Sequence, residues 1–208
     1  MTSLVLYTNP MSRGRIARWM LEEVGAPYEV KVLAYGPQMK SADYLAINPM
    51  GKVPALQHGE NVVTECAAII AYLADVFPEA DLAPKTDAER AAYYRWMFFA
   101  AGPLEAAVTN RSLGVVIPDD KRGMVGYGTY EKVVDTIESA LSKTAYIAGD
   151  RFTGADVYVG SHLMWGMQFG MLEKRPAFQA YVAELMRRAA HQRAAELNEA
   201  LASAQQTG

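Results

Sequence analysis

The chain has 208 residues, a length that allows one large domain or two small ones. Its hydrophobic fraction of 51% and charged fraction of 21% can build a core on a soluble protein, and a net charge of −3 excludes the global basic footprint of a nucleic-acid binder. One cysteine, Cys66, excludes an internal disulfide framework and a cysteine-rich metal site, and His58, His162 and His191 lack the spacing of metal ligands.

No basic segment precedes an apolar one at the start of the chain, and no apolar run is long enough to span a bilayer. The expectation is a cytoplasmic protein with no membrane partner. In chain order, residues 4–7 are a short apolar run closed by Asn9-Pro10, which predicts a buried strand. Residues 13–24 put Ile16, Met20 and Val24 on one helical stripe, with Gly25 as the stop. Residues 28–33 alternate, with Glu29 and Lys31 facing one way and Val30 and Val32 the other. A short helix or turn is expected over 41–47, strands over 53–57 and 61–63, a turn at His58-Gly59, and a helix over 65–77 rich in small and aliphatic residues.

Composition changes near Pro78, and "PEADLAPKTDAER" reads as a linker. Beyond it the pattern is helical. Residues 87–108 form a long amphipathic segment in which Gly102-Pro103 should produce a kink or break. Residues 112–128 are glycine-rich and suggest a loop, and helices follow over 130–143, 176–188 and 192–204. In "RFTGADVYVGSHLMW", Thr153 is a candidate N-cap with Asp156 three residues on, and Phe152 and Val157 fall at hydrophobic-staple positions.

Two stretches of the first part carry chemistry. In "NPMGKVPAL", Pro54 removes one ladder donor, so the backbone beside it can pair with an extended ligand; an ordinary loop-to-strand junction would look the same. In "VVTECAAII", Glu65 and Cys66 lie where a strand becomes a helix. The unpaired first-turn N–H groups welcome a carboxylate, and a glutamate beside them could hold an ammonium, which would suit an amino-acid headgroup. Complementing the helix dipole is the commoner reason for such a glutamate.

Together these stretches resemble a soluble glutathione S-transferase of the bacterial, serine- or tyrosine-using type. The resemblance rests on "YTNPMSRGRIARWMLEEVG", "NPMGKVPAL", "TECAAIIAYL" and "GDRFTGADVYVGSHLMW", in that order along nearly the whole chain. It implies an α/β plus all-α fold: a thioredoxin-like domain over 1–78, a linker over 79–86 and an all-helical domain over 87–208. It implies a homodimer active in detoxification, with glutathione as co-substrate, a small hydrophobic electrophile as second substrate and no separate cofactor or metal. Carried over by residue, Val53 would pair its backbone with the cysteinyl part of glutathione and Pro54 would be cis. Glu65 would take the γ-glutamyl ammonium. Cys66 stands where most members carry serine or threonine for the γ-glutamyl carboxylate; a thiol is a poor donor, but its backbone N–H could serve. Lys52 and Lys40 could meet the glycine carboxylate.

Members of this kind activate the thiol with a tyrosine ending the first strand, or with a serine or cysteine starting the first helix. Tyr7 and Ser12 occupy both places, and the helix N-terminus argument favours Ser12. A plain N-cap at Ser12 and a core aromatic at Tyr7 are the ordinary alternatives. Arg13, Arg15 and Arg18 oppose the helix dipole; they either meet acidic partners, the favoured structural reading, or raise the potential around an anion. Met11, Met97, Ala101, Trp165 and Phe169 are apolar candidates for the electrophile pocket, or simply core. The expected activity is conjugation by a bound thiolate. Glutathione-dependent peroxide or disulfide reduction, and a non-catalytic glutathione-binding regulator on the same fold, are the alternatives. Cys66 as a nucleophile has no histidine near it in sequence.

Overall fold

The computed structural model describes residues 3–206. The chain opens with β1 (Leu4–Thr8), α1 (Gly14–Val24) and β2 (Tyr28–Val32). Then come a 3₁₀ turn at Pro37–Lys40, α2 (Ala42–Ile47), β3 (Ala55–His58), β4 (Asn61–Thr64) and α3 (Cys66–Val76). The sheet runs β2-β1-β3-β4. β1 is parallel to β2 through the α1 crossover and antiparallel to β3, and β3 and β4 form a hairpin. All five residues of central β1 are buried, whereas β2 alternates as its pattern requires. This is the thioredoxin-like half of the expected fold.

Strand alternation gives the two faces of β1 different neighbours. Val5 and Tyr7 share a cluster with Met39, Tyr44 and Ala55, against which Leu33, Ile47 and Val53 pack. On the other face, α1 begins so close to β1 that a Cβ on Gly14 would lie 1.9 Å from Thr8 Oγ1. Only glycine fits there. α1 ends as read, with Gly25 in the left-handed region (φ 72°) donating its N–H to Leu21.

The second part holds α4 (Asp87–Phe99), α5 (Glu105–Ser112), α6 (Tyr130–Leu141), α7 (Gly154–Gln168) and α8 (Pro176–Met186). Thr153 caps α7 with Asp156 in a capping box, and Phe152 and Val157 are both buried. Every residue from Gly154 to Ser161 is buried, so α7 is a central helix. Asp156 is fully buried and accepts from the N–H groups of Ile147 and Thr153, each at 2.8 Å, and from the Tyr181 hydroxyl at 2.7 Å.

Several boundaries differ from the sequence reading. β3 begins at Ala55, past the proline that lacks a ladder donor, and runs through His58, so the turn falls at Gly59. The expected break at Gly102-Pro103 is a π-helical segment, Ala100–Leu104, that joins α4 to α5. A wider turn accommodates the missing N–H of Pro103 without ending the helix. The 112–128 segment contains a 3₁₀ stretch, Asp119–Met124.

The last helix, α9 (Ala189–Gln206), clusters by contact with the N-terminal part, although the sequence reading counts it with the helical domain. One unit thus comprises the described residues of Met1–Ala83 and Arg187–Gly208, and the other is Pro84–Met186. α9 packs on α1. Arg15 pairs with Glu199, Arg188 grips Glu23 through two bonds of 2.6 and 2.7 Å, and His191 meets the Trp19 ring edge-on at 4.8 Å. The dipole-opposing Arg15 therefore has an acidic partner. Arg18 is buried, and its Nε and Nη2 have no hydrogen-bond partner among the described residues. Among those residues no helix is long and apolar enough to cross a membrane.

Candidate active site

The site is built where β1 turns into α1. Asn9 organises the turn with three groups. Its amide Nδ2 donates to Leu33 O (2.8 Å), its Oδ1 accepts from Met11 N (2.9 Å), and its carbonyl accepts from Ser12 N (3.0 Å). The Ser12 hydroxyl donates to the same Asn9 carbonyl (2.7 Å) and accepts from Gly14 N (3.0 Å). Ser12 therefore lies one residue ahead of the Arg13 N-cap, with its hydroxyl against the first N–H of α1, at the end of the helix where N–H groups are unpaired.

Tyr7 is arranged differently. Its ring lies in the Val5–Tyr44 cluster, 5.7 Å from the Tyr44 ring. Its hydroxyl donates to Gln57 Oε1 (3.1 Å) and faces Lys31 Nζ (3.4 Å). Ser12 Oγ lies with Thr8 beside Gly14, on the other face of β1. The two hydroxyls do not converge on one point.

α3 begins beside α1. Cys66, its first residue, is buried, and its thiol donates to the Arg13 carbonyl at 3.7 Å. Glu65 stands before it with an exposed side chain that makes no cap bond, and with φ 66°. A positive φ at a non-glycine residue is costly and marks a position held by its surroundings.

The third wall is the loop before β3. The Val53–Pro54 bond is cis. Val53 lies outside the ladder, which starts at Ala55, while its side chain packs on the Tyr7–Tyr44 cluster. The Lys52 carbonyl accepts from Tyr44 Oη (2.5 Å) and Asn48 Nδ2 (2.8 Å). Burial pushes the Tyr44 hydroxyl up to about 12, so it stays a donor. Lys40 Nζ donates to the carbonyls of Met50 (3.0 Å) and Gly51 (3.1 Å). Lys40 is therefore a clamp on this loop, whereas the Lys52 side chain is exposed.

The start of α1 and the Glu65-Cys66 turn thus meet at the bond from Cys66 to the Arg13 carbonyl, while the Val53–Pro54 loop is fixed on the other sheet face by α2. The apolar candidates differ in exposure. Met11 is 69% exposed in the turn before α1. In the helical unit Met97 is core, Trp165 is half-buried, and Ala101 and Phe169 are exposed. Among the described residues, no group of three acidic, histidine or cysteine side chains could hold a metal.

Known proteins resemble this chain in sequence and in fold. Residues 2–75 match the glutathione S-transferase N-terminal domain and residues 127–189 its C-terminal domain. Glutathione S-transferase 3 of Zea mays is 34% identical over 169 residues, 75% of each chain. The chain belongs to the glutathione S-transferase family. Glutathione S-transferase GstA of Escherichia coli O157:H7 is 33% identical over 148 residues, 68% of this chain and 73% of that one. The crystal structure of the theta class glutathione S-transferase from Xanthomonas axonopodis pv. citri, with glutathione bound, superposes with a TM-score of 0.74 at 30% identity, covering 94% of this chain and 98% of that one.

In this transferase Asn9 and Gly14 shape the β1–α1 turn, and Tyr44 and Asn48 hold the loop before β3, contacts that the sequence alone does not single out. Asn9 was legible only as a turn former. Tyr44 and Asn48 are one helical turn apart, a spacing that puts both on one face of α2, but nothing local says that they reach the Lys52 carbonyl.

Proposed function

We propose that the protein is a glutathione transferase in which Ser12 holds the glutathione thiol as its thiolate. In this reading Val53 and Pro54 present backbone to the cysteinyl moiety. Glu65 receives the γ-glutamyl ammonium, and the N–H at Cys66 its carboxylate. Lys52 meets the glycine carboxylate. Lys40 acts through the loop it clamps.

A free thiol has a pKa near 8.5, and bringing it to about 6.5 requires roughly 2.7 kcal/mol of preference for the anion. A hydroxyl-to-thiolate hydrogen bond together with a helix N-terminus is of that order. The observation that carries the assignment is that the Ser12 hydroxyl lies at the N-terminus of α1 and accepts the N–H of its first residue, Gly14. Turned from the Asn9 carbonyl toward sulfur, its proton would stabilise the anion while Gly14 N–H polarises the oxygen. The thiolate then attacks an electrophilic carbon: a C–S bond forms, the bond to the leaving group breaks, and the group departs with the electron pair. The enzyme supplies orientation and charge stabilisation.

A homodimer fits this reading, since Tyr94 and Phe98 on α4 are 42% and 73% exposed and belong to one helical stripe. A lone cysteine suits the reducing cytoplasm, where structural disulfides are rare.

The test is titration of the ultraviolet thiolate absorbance of bound glutathione in the wild type, in Ser12→Ala and in Tyr7→Phe. The expected result is a depressed thiol pKa that returns toward the free value in Ser12→Ala only, with kcat falling about 10²-fold or more. A return in Tyr7→Phe alone would move the role to Tyr7. A thiol that titrates like free glutathione in the wild type would replace catalysis by binding.

A further inference from the structure

Resting on the assignment of Ser12 as the donor to the thiolate, we propose that Tyr35, in the loop after β2, is a positioning residue whose hydroxyl holds the peptide plane leading into Ser12. Tyr35 Oη donates to the Met11 carbonyl at 3.1 Å. That carbonyl and the Ser12 N–H belong to one peptide unit, which is planar and turns as a rigid body. The Ser12 N–H donates to the Asn9 carbonyl at 3.0 Å. The plane is therefore held at both edges, by Asn9 on one side and by Tyr35 on the other.

The chemistry explains why a plane needs holding. The Ser12 hydroxyl also donates to the Asn9 carbonyl, at 2.7 Å. To meet sulfur it must leave that carbonyl. The backbone beneath it then keeps its place through the Ser12 N–H and through Tyr35. A bond accepted at the Met11 carbonyl also polarises the shared amide, which strengthens its N–H as a donor. Without the Tyr35 hydroxyl the plane is held at the Asn9 edge alone and can tilt, and a small misplacement of a reacting group is costly in rate.

The loop is built to bring the phenol to this point. Leu33, two residues earlier, is tied to the same turn by two bonds: its N–H donates to the Thr8 carbonyl (2.9 Å), and its carbonyl accepts from Asn9 Nδ2 (2.8 Å). Between Leu33 and Tyr35, the Ala34 N–H donates to Gln38 Oε1 at 2.7 Å. Tyr35 itself is 60% exposed, so its ring is not part of the core. Partial burial raises the pKa of its hydroxyl above the ordinary tyrosine value, with Arg13 opposing the shift. The group therefore stays a donor over the range in which a glutathione thiol titrates.

The experiment is the thiolate titration of bound glutathione in the wild type, Tyr35→Phe, Ser12→Ala and the double variant, with steady-state kinetics on all four using 1-chloro-2,4-dinitrobenzene. Phenylalanine keeps the ring and removes only the hydroxyl. We expect the thiol pKa in Tyr35→Phe to move part of the way toward the free value. The kcat should fall about three- to tenfold, the range of one neutral hydrogen bond, while the KM for glutathione changes by less than about twofold. In the Ser12→Ala background the same substitution should do nothing further, because it acts through Ser12. The side chain is exposed, so the urea midpoint should stay near wild type. A thiol pKa that shifts in Ser12→Ala but not in Tyr35→Phe would overturn the proposal and leave the role of Ser12 standing. Additive effects in the double variant would do the same, making Tyr35 a contact for sulfur or substrate. A thiol pKa unmoved in Ser12→Ala would overturn the assignment of Ser12 and this proposal with it.

Discussion

The Cys66 thiol donates to the Arg13 carbonyl at 3.7 Å, which ties the first residue of α3 to the start of α1. Sulfur is a weak donor, so this contact adds little energy, but it directs the thiol at protein rather than at a ligand. The backbone N–H of residue 66 is then the group left for a carboxylate. Cys66→Ala should raise the KM for glutathione by no more than about threefold and leave kcat unchanged, since a weak neutral bond is worth under roughly 1 kcal/mol. Cys66→Ser should lower that KM. A tenfold fall in kcat for Cys66→Ala, measured at saturating glutathione, would instead make the thiol part of the chemistry.

Glu65 separates backbone strain from ligand binding. At φ 66° it occupies a region in which glycine is at ease and glutamate is not. Glu65→Gln keeps the strain and removes the charge; Glu65→Gly relieves the strain and removes the carboxylate. Both should lose roughly tenfold or more in glutathione affinity, as a charged hydrogen bond worth about 1.5–3 kcal/mol is removed. Only Glu65→Gly should unfold at a higher temperature, by about 1 kcal/mol of added stability. Calorimetry of both variants without ligand, then with it, checks the crossing.

Much of this fold is written locally. The alternation of β2, the glycine that ends α1 and the Thr153–Asp156 box each depend on neighbours within a few residues, and each is where the pattern puts it. The alternation of β1 also gives Tyr7 the same face as Val5, but no local signal says which helix covers that face. That is why Tyr7 and Ser12 look equivalent in the sequence and are not equivalent in space. The same holds for Lys40. Its charge suggests a ligand contact, while two loop carbonyls brought back by the chain take its ammonium. α9 is the extreme case: its polar sequence gives little hint that its Glu199 and His191, and Arg188 just before it, would meet α1 more than 160 residues earlier.

Gly14 controls how closely α1 approaches β1. A methyl there would meet Thr8 Oγ1 at 1.9 Å and Thr8 Cβ at 2.9 Å, and would lie 3.0 Å from Ser12 Oγ. Gly14→Ala should therefore destabilise by about 1–3 kcal/mol and also reduce kcat, because the helix start that presents Ser12 must shift. Adding Thr8→Ala removes the nearer clash but keeps the Cβ. The double variant should recover part of the stability, visible as a non-additive urea midpoint. Strict additivity would mean that the two residues do not collide.

Arg18 is an oddity among the three arginines of the first helix. It is 2% exposed, and its Nε and Nη2 find no partner among the described residues. Burial lowers its pKa from the ordinary arginine value, with Glu22 and Tyr28 opposing that shift. A desolvated, incompletely satisfied cation is a cost that an apolar side chain of similar length avoids. Arg18→Met should be neutral or stabilising by up to a few kcal/mol, with unchanged glutathione kinetics. A loss of more than about 1 kcal/mol in urea unfolding would show that the guanidinium is compensated in solution.

His191 gives the α1–α9 seam a pH dependence. Burial lowers its pKa below the ordinary histidine value, and the Glu23 carboxylate only partly opposes this. Glu23 is itself gripped by Arg188, and Trp19 presents an apolar ring edge. In the unfolded chain His191 takes up a proton near pH 6.5, while in the fold it stays neutral to lower pH. Between those two values the unfolded state binds more protons, so stability is full above about pH 6.5 and falls as pH drops toward the folded pKa. His191→Phe keeps an aromatic ring against Trp19 and cannot be protonated. Its urea midpoint should match or trail wild type at pH 7.5 and gain on it steadily down to pH 5.5. Parallel pH profiles would mean that the histidine is free to charge in the folded protein and that the seam does not sense protons through it.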